Sequence, residues 1–462
     1  MSKTAKERAG SAVAHRRSIA LGVVFAACLA GPAAAGELRA ILEGEAAVTS
    51  DGNYQQSAVA EDGGDEMVAR GGLSLRLSYD MKRSSLALVY SPSYEQSLDN
   101  QEDSQGLRRD RSGFAQRLLF GFQGALTRRT DFQIQERLFS SPNLDLYLPP
   151  TSPDTMAVTR RGDQLSHNLN ASIRQELTRR TGLTAAVSHS LRTFENSDLF
   201  DTESYGVDLG WNMNLDRDRS LGFSGGLGKF EYEDGRDSDV RLANVYYAFL
   251  LGRRTQARVD AGAFWVTSVN FVPLVPETPE TLPGEEAPPL VPLVPVDEKD
   301  SGWRGGVQLS QQGDLFNWSL GYRHDISAGY GLGRAAEADN AFVGLSRALG
   351  RTVTLGLDGA ASRQHDLQEF ADFRGSDEPV SEFVTGTARL SWNIVPSLRL
   401  TGGYSRVWQS ARVEPFDDLS YSRYFLGLAF RIFSTGETPK NPLSPQGLRT
   451  SGGETESGEE NP

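Results

Sequence analysis

The sequence predicts an all-β fold: a transmembrane, antiparallel, up-and-down β-barrel of about eighteen strands, with sixteen as the alternative count. Three observations carry this. Segments of roughly ten residues alternate apolar and polar side chains along most of the chain. The connections between them alternate between tight turns and longer polar loops, and all six tryptophans fall near segment ends.

The N-terminus comes first. Lys3, Lys6, Arg8, Arg16 and Arg17 precede an apolar stretch from Ile19 to Ala30, and Ala33-Ala34-Ala35 follows. This is the basic, apolar and A-x-A order of a secretory signal, so residues 1–35 are expected to be removed after Ala35. Arg16-Arg17 also fits a twin-Arg signal, although the Sec route is the commoner case. The apolar stretch is too short to span a bilayer, and no later run is long enough to be a transmembrane helix. Cys28, the only cysteine, lies within this segment behind Phe25-Ala26-Ala27, a poor lipobox. Its removal leaves no thiol for a disulfide, a nucleophile or a Cys-based metal site.

Residues 36–433 carry the strand pattern. Leu38 to Thr49 opens it, with Leu38, Ala40, Leu42, Gly44, Ala46 and Val48 on one face. Leu73, Leu75, Leu77 and Tyr79 then alternate with Ser74, Arg76 and Ser78, and after a turn at Lys82 the row Leu86, Leu88, Tyr90 repeats the theme. LTRRT at Leu126 to Thr130 connects Leu118, Phe120 and Phe122 to Phe132, Ile134 and Leu138. A second LTRRT at Leu177 to Thr181 and an LGRRT at Leu251 to Thr255 sit in equivalent hairpins. Further tight turns are predicted at Leu215 (LDRDRS), Gln311 (QQGD), Leu349 (LGRT) and Ile394 (IVPS). The long connections are Asp51 to Arg70, Asp99 to Gly113, Ser140 to Gln164, Glu195 to Ser204, Glu233 to Asp239 and Arg363 to Val380.

That strict alternation of short and long connections matches a barrel with short periplasmic turns and longer extracellular loops. Tyr424 to Ile432 completes the set, and an even count leaves both ends in the periplasm. The weakest alternation lies in the first strand and in Ala341 to Ala348. Trp211, Trp318 and Trp392 lie near short turns and Trp265, Trp303 and Trp408 adjoin long loops, as two aromatic girdles require. The net charge of −13 argues against nucleic-acid binding, so the repeated Arg pairs are read as turn residues in water.

The stretch YFLGLAFRIF places Tyr424, Leu426, Leu428, Phe430 and Ile432 toward lipid and ends in an apolar-aromatic pair. With it, Leu38 to Phe433 resembles Gram-negative outer-membrane β-barrels of the porin-like kind. The resemblance implies export to the outer membrane, contact with outer-membrane lipid, and a last strand read by the barrel-assembly machinery. The chain departs from the family pattern by running on through residues 434–462, a Gly-, Ser-, Glu- and Pro-rich tail expected to be disordered in the periplasm. Such a tail is either a solvated end or a docking peptide for a periplasmic or export-complex partner.

If the apolar row meets lipid, the alternate row lines the lumen. It carries Arg76, Arg117, Arg137, Arg174, Arg192, Arg258, Arg304, Arg323, Arg389, Arg399 and Arg431, against Glu176, Asp208, Asp260, Asp325 and Asp358. Two readings stay open: rings of Arg that favour anions, or Arg and acid paired across strands to stiffen the wall. Phe271 to Asp300 is the outlying loop, with two VPLVP copies around an acidic, Pro-rich centre, and Pro at this density is expected to prevent sheet pairing. Val272, Pro273, Leu274, Val291, Pro292 and Leu293 could constrict the mouth, dock a partner, or form a stiff spacer.

Catalysis is not expected, and no cofactor or metal site is read. His167, His189, His324 and His365 show no metal-ligand spacing. His189 and Ser190 are adjacent on a strand and point to opposite faces, so they form no dyad. GLGR at Gly331 is too short for a phosphate loop. The preferred function is a passive channel for small polar or anionic solutes. The alternatives are the barrel of an export apparatus, such as one for polysaccharide, and a non-conducting structural barrel.

Overall fold

The computed structural model describes residues 37–54, 64–98, 112–141, 163–195, 201–273, 293–313, 315–327, 335–366, 381–411 and 419–435. The signal segment, the tail beyond Thr435 and the centre of the Pro-rich segment lie outside these. The strands are β1 (Glu37–Tyr54), β2 (Gly64–Asp80), β3 (Ser84–Ser97), β4 (Gly113–Ala125), β5 (Thr130–Ser141), β6 (Asp163–Glu176), β7 (Thr181–Glu195), β8 (Thr202–Asn214) and β9 (Arg219–Tyr232). They continue as β10 (Asp237–Leu251), β11 (Thr255–Pro273), β12 (Leu293–Gln311), β13 (Phe316–Ser327), β14 (Ala336–Ala348), β15 (Val353–Asp366), β16 (Ser381–Val395), β17 (Leu398–Ala411) and β18 (Leu419–Ser434).

Each strand pairs antiparallel with its chain neighbours, and β1 pairs with β18, so the sheet closes into an eighteen-stranded barrel. Closure pairs the first and last strands, whose edges lipid could not hydrate. Opposed residues of neighbouring strands share a face, so one choice of inside and outside propagates around the ring. Complete burial of Glu95 and Gln364 is compatible only with the concave side. The opposite row, including Leu183, Val187, Val207, Leu209 and Leu227, is apolar and exposed, Leu209 at 64%. Polar residues inside and apolar residues outside invert a soluble core, as a lipid-facing wall demands.

The repeated turns share one geometry. In the first LTRRT, Leu126 N–H donates to Thr130 O at 2.8 Å and Arg129 N–H to Thr127 Oγ1 at 3.1 Å. In the second, Leu177 N–H donates to Thr181 O at 3.0 Å and Arg180 N–H to Thr178 Oγ1 at 3.1 Å. The threonine hydroxyl thus replaces a backbone acceptor inside the turn. LGRRT has no Thr at that position and uses Gly252 at φ 78 instead.

Several boundaries differ from the sequence reading. Strands run on into the polar connections: β1 reaches Tyr54, β2 begins at Gly64 and β15 ends at Asp366. Above the apolar band both faces meet polar surroundings, so the hydrophobic alternation stops before the hydrogen-bonded ladder does. The expected long loop at Glu233 to Asp239 is a tight turn: Tyr232 N–H donates to Arg236 O at 3.0 Å, and Gly235 has φ 88. Asp and Gly suit tight turns as well as loops, which made its composition ambiguous.

The Pro-rich segment is corrected at both ends. Phe271 pairs with Pro295, Val272 with Val294 and Pro273 with Leu293, so β11 and β12 form a long hairpin arm. Beyond Gly305, β12 has no ladder partner on its other side among the described residues, and a missing N–H is tolerated on such an edge. Trp265 and Trp303 therefore do not end their strands, which continue to Pro273 and Leu293. At the other terminus β18 includes Ser434, one residue past the expected boundary, and Thr435 N–H donates to Ala40 O at 2.9 Å.

Candidate functional site: the lumen wall

Ladder register carries Arg76, Arg117, Arg137, Arg174, Arg192, Arg258, Arg304, Arg323, Arg389, Arg399 and Arg431 on the concave face. Arg76 lies opposite Ile41, Arg117 opposite Phe139, Arg137 opposite Asn168, Arg192 opposite Ser166 and Arg389 opposite Gly356. The same face holds Glu176, Asp208, Asp260, Asp325 and Asp358.

These charges are not evenly neutralised. From β11 to β16 the guanidinium groups have carboxylate partners: Arg304 to Asp325 at 2.7 Å, Arg323 to the same oxygen at 2.5 Å and Arg389 to Asp358 at 3.8 Å. Arg258 lies 4.0 Å from Asp260 and 4.3 Å over the Tyr246 ring. On β1 and β2, Glu43 takes Arg76 at 3.2 Å and Glu45 takes Arg70 at 2.7 Å. By contrast, no carboxylate among the described residues forms an ion pair with Arg117, Arg137, Arg174, Arg399 or Arg431. These five stand on β4, β5, β6, β17 and β18, one continuous side of the ring with β1 to β3 between. Arg117 and Arg137 are diagonal neighbours, so their charges add over one patch of wall.

Accessibility varies along the concave face. Arg117, Arg137, Arg258, Arg323, Arg389 and Arg399 are exposed, Arg258 and Arg399 beside the tight turns and the others farther from them. Toward the opposite rim, Glu95, Ser141, Gln164, Ser238, Gln364 and Gln409 are buried on strand after strand. Water therefore reaches these guanidinium groups more freely than it reaches the buried rim. Of the residues assigned to the Pro-rich arms, Val272, Pro273 and Leu293 belong to the β11–β12 hairpin; Leu274, Val291 and Pro292 lie outside the described residues.

The sequence reading missed an ionisable belt on the convex face. His167 Nε2 lies 3.1 Å from Glu136 Oε1, His189 Nε2 lies 2.9 Å from Glu203 Oε1, and Tyr205 donates to the same Glu203 oxygen at 2.5 Å. The two histidine rings are 5.7 Å apart although 22 positions separate them in the numbering. Ladder register was the missing signal. His189 lies opposite Tyr205 and Ser190 opposite Ser204, on opposite faces. Among the described residues no group of three or more His, Cys, Asp or Glu is arranged to hold a metal.

No family model and no curated protein matches this chain. Solved structures of similar shape include OccK1 (OpdK) of Pseudomonas aeruginosa, 12% identical, covering 86% of this chain and 99% of that one at a TM-score of 0.41. A BenF-like porin of Pseudomonas fluorescens Pf-5 is 12% identical over 86% and 99% at 0.42. OccAB3 of Acinetobacter baumannii is 10% identical over 86% and 100% at 0.40. At that identity and overlap the likeness assigns nothing to this lumen.

Proposed function

We propose that this chain forms a passive outer-membrane channel that favours small anionic solutes. The observation that carries the reading is the run of guanidinium groups without carboxylate partners among the described residues on β17, β18 and β4 to β6, of which Arg117, Arg137 and Arg399 are exposed to the lumen. A paired Arg presents little net charge to a passing ion; an unpaired one attracts an anion and repels a cation. The stiffening role belongs to the other arc, where Asp260, Asp325 and Asp358 pair with Arg258, Arg304, Arg323 and Arg389 and leave one net positive charge in place of four. Eighteen strands about 4.8 Å apart and tilted about 40° enclose a backbone cylinder roughly 36 Å across, wider than side chains alone fill.

The test is the purified barrel in a planar bilayer under a KCl gradient. The expected result is a reversal potential of the sign for chloride preference, with liposome swelling in small sugars or organic anions. Cation preference, or a bilayer with no conductance, would overturn the reading.

A further inference from the structure

One seam of the wall differs from all the others. β12 and β13 share seven ladder pairs, Gly305 with His324 through Gln311 with Trp318, whereas the next shortest ladder, β4 with β5, has ten. Above that stop β12 follows β11 alone to Leu293, and β13 follows β14 alone to Ser327. Seven residues at about 3.3 Å and about 40° tilt rise roughly 18 Å, less than the height of an apolar band about 25 Å tall, and where the ladder ends the convex face carries His324 beside Asp339 and Glu337.

Side chains close the gap that backbone hydrogen bonds leave. On the lumen side Arg304 and Arg323 share one oxygen of Asp325. On the convex side the Trp303 ring stacks on His324, with centroids 4.1 Å apart and planes 13° apart, and His324 Nδ1 lies 2.9 Å from Asp339. Between these layers sits Phe264, completely buried. Its ring lies over Gly302, where a Cβ would come within 2.4 Å of Phe264 Cζ. The missing side chain leaves room for the ring, which clusters with Val266 of its own strand, Val240 of β10 and Ala335, with Ile326 of β13 packed against them. An apolar plug in a polar lumen, at the one place where the ladder stops, needs an explanation beyond wall stiffness.

We propose that the β12–β13 seam is a lateral port between the lumen and the outer leaflet for an anionic amphiphile with a hydrocarbon tail, such as a long-chain carboxylate. The tail displaces Phe264 and its apolar neighbours, while the carboxylate takes the place of Asp325 on Arg304 and Arg323. Opening breaks one shared ion pair and one ring stack, and no ladder hydrogen bond. The inference rests on the channel reading for the source of the solute.

The test uses the full mature chain in phospholipid vesicles and a long-chain fatty acid bearing a photoreactive diazirine on its tail. In the Arg304→Cys, Asp325→Cys double variant, the two cysteines occupy the positions where the next ladder pair would form. Adducts on Phe264 and Val266 are expected with the thiols reduced, where Arg323 alone remains to hold the carboxylate, to be lost on oxidation to the disulfide, and to return on reduction; adducts on the convex-facing Trp265 stay constant. Asp325→Asn, which needs no cysteine, should raise Phe264 and Val266 labelling above that of the unaltered chain, and covers the case in which the double variant does not fold. Equal labelling in the locked and unlocked forms, or none at Phe264 and Val266 in any form, overturns the port. Ionic conductance of the same samples separates the two readings: conductance without tail labelling removes the port and leaves the channel, and latch-dependent labelling without conductance upholds the port and removes the channel.

Discussion

Replacing Arg117 and Arg137 together by Gln removes two adjacent charges that no carboxylate among the described residues pairs, and its effect on ion selectivity can be worked out. An anion passing about 7 Å from a guanidinium in water gains about 0.6 kcal/mol before screening, and about 0.3 kcal/mol in 0.1 M salt, where the Debye length is about 10 Å. Two such groups supply about 0.6 kcal/mol, roughly a 2.7-fold gain in anion occupancy and an equal loss for cations. The anion-to-cation permeability ratio should therefore fall about sevenfold in the double variant at 0.1 M salt. At 1 M, with a Debye length of about 3 Å, the same change should shrink to about 1.5-fold. Reversal potentials in planar bilayers at the two salt levels measure both. The control is Arg389→Gln with Asp358→Asn, which removes a charge pair at no net change and should leave selectivity as it was. If selectivity stays constant at 0.1 M in the Arg117, Arg137 variant, or shifts equally in the control, the unpaired arc does not govern permeation.

Other expectations concern the wall and its turns. Leu209→Lys places a cation on the lipid face and should cost about 2–4 kcal/mol near mid-bilayer, whereas Asp208→Lys, one residue away but facing water, should cost under about 1 kcal/mol. Urea unfolding from lipid vesicles would show it, and equal costs would mean that the faces are wrongly assigned. Thr178→Ala removes the hydroxyl that accepts from Arg180 N–H and Thr181 N–H, so a loss of about 1 kcal/mol is expected in the same unfolding assay. Gly252→Ala meets no steric neighbour but must hold a left-handed backbone, which should cost about 1–2 kcal/mol; an unchanged unfolding midpoint would contradict that conformation.

The architecture was legible where a physical constraint leaves a periodic mark. Lipid on one side and water on the other force a period of two, so Leu73, Leu75 and Leu77 or Tyr424, Leu426 and Leu428 announce their strands. The mark fades where the constraint does. Above the apolar band water lies on both sides, and strand ends such as Asp51 to Tyr54 or Asp237 to Asp239 resemble loop. Which Arg finds an acid depends on contacts between strands: Asp325 meets Arg304 from 21 positions away, and neither segment signals the other. The early stop between β12 and β13 was invisible for a related reason, because it reflects two strands diverging and not any property of one. The Pro residues suggested a loop where an unpaired edge spares the N–H they lack.

The ring closes where Ala40 meets Thr435, 395 positions apart. Each hairpin forms from a local turn, but this last ladder must bring the two ends of the barrel together. Closing so large a loop costs roughly 4 kcal/mol more chain entropy than closing a four-residue turn, by the logarithmic scaling of loop closure. The ladder that returns that cost has twelve pairs, with a register shift at Leu42 and Glu43. Cutting the chain within β18 should therefore act on the kinetics of assembly before it acts on equilibrium: a curled sheet of seventeen strands retains its hairpins but loses the step that makes a finished barrel slow to reopen.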